Sequence, residues 1–94
     1  MSKDGIILIE AGCRIAGYIS ETAKKNHTTE VFDVLEVTTD GQFRCHMIGT
    51  RFDQVNRHIF LHEHQLIWCR LLNGQEFVRK TPEDRWLDTK QLSL

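Results

Sequence analysis

Polar and apolar positions alternate along much of this chain, and the alternation is interrupted twice by a dipeptide suited to reversing the backbone. In Thr38-Thr39-Asp40-Gly41-Gln42-Phe43, Asp-Gly readily adopts the positive φ angles that a two-residue type I′ turn requires. Such a turn pairs Thr39 with Gln42, Val37 with Arg44 and Leu35 with His46, and on the other side Glu36 with Cys45 and Val34 with Met47. Phe32, Val34, Phe43, Cys45 and Met47 then share one face, and Glu36 shares it with them.

Leu71-Leu72-Asn73-Gly74-Gln75-Glu76 repeats the device with Asn-Gly, joining a strand near 65–72 to one near 75–80. Two-residue geometry puts Ile67, Cys69, Leu71 and Val78 on a core-like face, and Trp68, Arg70, Leu72, Phe77 and Arg79 on the other. Trp68 then stands opposite Arg79, and Phe77 opposite Arg70.

The remaining segments are shorter. Ile6 to Ile9 reads as a buried strand ended by Gly12, Cys13 to Ser20 as a second strand, and Glu21 to Thr28 as a polar loop. Arg51 to Arg57 reads as a helical turn or loop, and the extended piece from His58 to His64 must bend before Leu66, because a straight strand from 58 to 72 is longer than strands run. Thr81 as N-cap, Pro82 at the first helical position and the acids Glu83 and Asp84 predict a short C-terminal helix anchored by Trp86 and Leu87. The sum is a mainly β fold: a small bent antiparallel sheet, or a barrel of SH3-like or OB-like architecture, built on two tight hairpins with a terminal helix.

Composition fits one folded domain over residues 1–94, a length that buries roughly 60–65% of the surface its unfolded chain exposes. Forty per cent of residues are hydrophobic and only one is proline, which argues against disorder. Twelve Lys plus Arg against thirteen Asp plus Glu give a net charge of −1, which supplies no broad positive field for nonspecific nucleic-acid binding. The apolar run at Ile6 to Ile9 is too short for a signal peptide or a membrane span, so a cytoplasmic location with no membrane partner is expected. Cys13, Cys45 and Cys69 are odd in number and widely spaced, and read as buried reduced thiols.

Several groups carry candidate chemistry. The Trp68, Arg70, Phe77 and Arg79 face offers the large rigid area and directional donors of protein-binding hot spots, and the same groups stack nucleobases, with Lys80, Arg44 and His46 as further binding candidates. The competing structural reading is that Trp86 and Leu87 cover this face and the arginines lie at its margin. His58, His62 and His64 share parity and are the candidate metal ligands, but their spacing matches no zinc motif, so no metal or other cofactor is assigned. Cys45 and His46 are adjacent and therefore point to opposite faces of a strand, which prevents a thiol–base pair between them. Glu36 on the Phe43, Cys45 and Met47 face is either a carboxylate at the solvent edge or one in an apolar pocket. No GxSxG, P-loop, GxGxxG, HExxH or EF-hand pattern occurs.

Apolar residues occupy both faces of the first hairpin, Val31, Leu35, Val37 and Ile48 against Phe32, Val34, Phe43 and Met47. That is more than one thin core layer needs, so the sheet either closes with further cover or is covered by a second subunit. The reading is a non-enzymatic interaction module that binds another protein or itself as a homodimer. The alternatives are single-stranded nucleic-acid binding through the aromatic and arginine face, and a small-ligand or enzymatic pocket inside a barrel with Glu36 or His46 as its polar group.

Overall fold

The computed structural model describes residues 7–48 and 58–91. Its strands are β1 (Arg14–Gly17), β2 (Glu30–Val37), β3 (Phe43–Met47), β4 (His58–Leu61), β5 (Leu66–Arg70), β6 (Glu76–Val78) and β7 (Leu87–Asp88). They form one seven-stranded antiparallel sheet in the order β4-β3-β2-β1-β5-β6-β7. The topology is two meanders that meet where β5 returns to pair with β1. β4 and β7 remain edges on opposite sides, so of the two architectures expected the sheet stays open and does not close into a barrel.

Both hairpins turn where the dipeptides lie, but each loop holds three residues rather than two. Gly41 N donates to Thr38 O and Thr38 N to Gln42 O, while Gly74 N donates to Leu71 O and Leu71 N to Gln75 O. Gly41 and Gly74 take φ +86 and +92, whereas Asp40 and Asn73 keep negative φ. This is a type I turn followed by a left-handed glycine, and the extra residue moves the register by one. Side chains favour it: Asn73 Oδ1 accepts from Gln75 N at 2.9 Å, and Thr38 Oγ1 accepts from Gln42 N at 3.0 Å.

On the second hairpin, the shift pairs Trp68 with Val78, Cys69 with Phe77 and Arg70 with Glu76. The expected Trp68–Arg79 and Phe77–Arg70 pairs therefore do not form, and Phe77 and Val78 exchange faces relative to the sequence reading. On the first hairpin, a second irregularity between Val34 and Glu36 absorbs Leu35 as a bulge. Phe32, Val34, Phe43, Cys45 and Met47 consequently share the buried face as expected. Glu36 does not join them; it pairs with Arg44 on the opposite face, with Arg44 Nε 3.0 Å from Glu36 Oε1.

The core lies along one side of the sheet. One transverse row runs Phe77, Cys69, Ile15, Phe32, Met47, and a neighbouring one Val34, Cys45, Ile59. Ile9 and Cys13 pack on the same cluster, with Ile7, Leu71 and Trp86 at its margin. Residues 7–10 add no strand to the sheet, in contrast to the expected strand at Ile6 to Ile9, whose first residue lies outside the described residues. All three cysteines are buried and free.

Three further expectations are resolved locally. Glu21–Lys25 is a short helix, α1, rather than a loop, because Ser20 Oγ accepts from Ala23 N and caps it. His58 to His64 does bend before Leu66, through a 3-10 turn at Glu63–Gln65. The C-terminal helix does not form: Thr81 to Asp84 closes as a turn, Leu87–Asp88 is strand, and only a 3-10 turn follows at Thr89–Gln91. Asp84 accepts from Thr81 N through its carboxylate, holding the turn that Pro82 begins. The segment 51–57 lies outside the described residues.

Candidate functional site

The face of the sheet opposite the core is built from rows whose members come from every strand. Cross-strand partners share a face, so the pairs Leu87–Val78, Val78–Trp68, Trp68–Ala16 and Ala16–Val31 define one apolar row across five strands. Ile48, whose N donates to Val31 O, extends it. Parallel to it runs a polar row: Glu76, Arg70, Arg14, Asp33, His46, His58. Arg44 and Phe60 continue the face beyond Glu36.

Ala16 sits between Trp68 and Val31 on the central strand of the sheet, a small buried residue between two large apolar ones. Arg70 stands 6.0 Å from the Trp68 ring centroid and 3.8 Å from Glu76, and Arg14 Nε donates to Asp33 Oδ1 at 3.0 Å. Val31 remains 37% exposed, Leu87 45% and Phe60 54%, so this face carries apolar area that no described segment covers.

Of the six binding residues read from sequence, Trp68, Arg70, Arg44 and His46 lie on this outer face, while Phe77 and Arg79 do not. Phe77 packs with the core. Arg79 is 7% exposed and works as a structural tie. Its guanidinium donates to Leu66 O at 2.8 Å, Glu63 O at 2.7 Å and Asp84 O at 3.2 Å, and pairs with Glu63 Oε2 at 3.3 Å. Burial lowers its pKa from the usual arginine range, and the Glu63 carboxylate opposes that shift. The aromatic and arginine platform expected from sequence is thus divided between two sides of the sheet.

The histidines also divide. His62 and His64 stack at 5.1 Å, while His58 meets His46 edge-on at 5.6 Å across β3 and β4. Among the described residues, no group of three or more His, Cys, Asp or Glu is placed to hold a metal. Cys45 and His46 fall on opposite faces, and burial pushes the Cys45 and Cys69 thiols up to about 12. A thiol so raised is protonated at neutral pH and a poor nucleophile. Among the described residues, no helix is long and apolar enough to cross a membrane.

Sequence reading missed Arg14, Asp33 and Ala16 as members of this surface, and placed Val31 on the outer side of its hairpin without Trp68 as a near neighbour. Strand alternation gives which side each one takes within its own strand, but only the long-range β1–β2 and β1–β5 pairings bring them beside Trp68 and Arg70. Comparison of the chain with known protein families, with curated proteins and with solved structures found no match.

Proposed function

We propose that the protein is a non-enzymatic interaction module that pairs with a second copy of itself through the outer sheet face. The observation that carries this reading is the apolar row through Trp68, half-buried at Trp68 and exposed at Val31 and Leu87, beside a polar row of mixed sign. Trp and Arg together are the groups that anchor protein interfaces, because they give large contact area at low entropic cost plus directional donors.

Charge order favours a second copy as the occupant. Arg14 and Asp33 are neighbours on β1 and β2, close to the middle of the sheet. A two-fold axis in the interface plane, parallel to the strands and between β1 and β2, lays each Arg14 over the other copy's Asp33. The same operation sets Trp68 over Ile48, Ala16 over Val31, and Glu76 over His58. Face-to-face sheets with near-aligned strands are a common packing, and a two-fold interface uses one patch twice.

Sedimentation equilibrium tests the reading. The expected result is twice the 11.0 kDa chain mass at micromolar concentration, reverting to the single mass in Trp68→Asp with an unchanged circular dichroism spectrum. A monomer mass for the wild-type protein at those concentrations overturns it. Nucleic-acid binding has weaker support here, since Arg14 and Arg70 face Asp33 and Glu76 and the chain carries no net positive charge.

A further inference from the structure

A second feature shares no residue with the outer-face rows and lies where α1 approaches the segment after β6. An open cleft of about 380 Å³ is lined by Tyr18, Lys24, His27, Lys80, Thr81 and Pro82. Its volume lies in the range of small-molecule sites, and such sites join an apolar wall to a few placed polar groups. The Tyr18 ring and the buried Pro82 provide the wall, and Lys24, His27 and Lys80 provide the polar groups.

The charge is one-sided. Three basic side chains line this cleft and no carboxylate does, in a chain whose net charge is −1. The adjoining cleft, which shares Tyr18, Lys24 and Pro82, differs in being lined also by Glu21 and Glu83. Lys24 Nζ lies 2.8 Å from Glu83 Oε2, and the hydrogen bond to that carboxylate raises its pKa from the usual lysine value. Lys80 makes no ion pair among the described residues.

The walls are held in place from behind. Tyr18 N donates to Gln65 O and its own carbonyl accepts from Gln65 Nε2, both at 3.0 Å. The 81–84 turn is fixed by the Arg79 bond to Asp84 O. His27 occupies the left-handed position that ends α1, at φ 56, with His27 N bonded to Lys24 O and Thr28 N to Ala23 O. Glycine is the residue this position favours, so a histidine there costs stability, and it stands in the lining of the cleft.

We infer that this cleft binds a small aromatic anion, its ring against Tyr18 and Pro82 and its carboxylate or phosphate between Lys80, His27 and Lys24. The site is separate from the self-association surface, so either stands without the other.

Titration of the full chain with phenyl phosphate and with benzoate, followed by NMR, tests the inference. Saturable shifts confined to Tyr18, Lys24, His27 and Lys80 are expected for at least one probe, with benzyl alcohol giving none. Lys80→Ala is expected to weaken binding about tenfold or more, the loss that follows from removing one charged donor. His27→Gly is expected to weaken binding while raising Tm, a combination that a purely structural histidine would not give. Absence of saturable shifts with both anions at millimolar concentration overturns the inference. So does equal binding of benzyl alcohol, or unchanged affinity in both variants.

Discussion

The guanidinium of Arg79 lies 4.0 Å from the ring centroid of Trp86, and both side chains converge on one carboxylate, that of Glu63, with Trp86 Nε1 donating to it at 2.9 Å. Cation, ring and carboxylate thereby lock the 3-10 turn before β5 to the chain after β6. Arg79 donates to three backbone carbonyls at once, and one of them, Glu63 O, also accepts from Leu66 N.

Arg79→Ala should therefore cost about 3 kcal/mol or more, since the carbonyls lose a charged donor and Trp86 loses its stacking partner. Arg79→Lys should recover only part of this, because an ammonium cannot present a planar fork to three acceptors. Urea denaturation of the two variants checks the order: wild type, then Lys, then Ala. Equal stability of the Lys variant and the wild type would show that charge alone suffices.

The interface reading makes a charge-swap prediction. Arg14→Glu places like charges against Asp33 within the copy and across the proposed two-fold, so it should shift the protein to monomer. Adding Asp33→Arg restores opposite signs at both places and should restore the dimer. Sedimentation velocity on the single and double variants reads both outcomes.

Glycines separate two kinds of backbone demand. A Cβ on Gly17 would sit 2.2 Å from Gln65 O and 2.9 Å from Leu66 Cα, both backbone atoms of the adjoining segment. Gly17→Ala should push β5 away from β1 and cost at least about 2 kcal/mol. Gly41 has open space around it but φ +86, so Gly41→Ala should cost about 1 kcal/mol from the left-handed backbone alone. Thermal melts of both variants test the ranking.

The buried thiols predict an alkaline limit to stability. Cys45 and Cys69 hold their protons to about pH 12 in the folded chain, because burial disfavours the thiolate, whereas exposed thiols ionise near 8.5. Above the unfolded value the unfolded chain binds fewer protons, so stability is full below roughly pH 8.5 and falls as pH rises toward 12. Tm measured from pH 7 to 10 should decline, and the decline should be shallower in Cys45→Ala/Cys69→Ala. In the same range, thiol alkylation of the native protein should be slow.

Residue order determined where the chain reverses and which side chains alternate. Asp40-Gly41 and Asn73-Gly74 mark both hairpins, and the set Phe32, Val34, Phe43, Cys45, Met47 is buried together, because strand period and turn chemistry are local properties. Asn-Gly, however, suits a two-residue loop and a three-residue loop alike, since both accept a left-handed glycine. Side-chain bonds within each loop favour the longer form, and the tertiary environment adds what residue order does not show: the three-residue loop seats Phe77 beside Cys69 in the core and aims Arg79 at three carbonyls. Pairing of β1 with both β2 and β5, which assembles the outer rows and the Tyr18 cleft, was likewise decided by packing between segments far apart in the chain, where alternation fixes a side but never a neighbour.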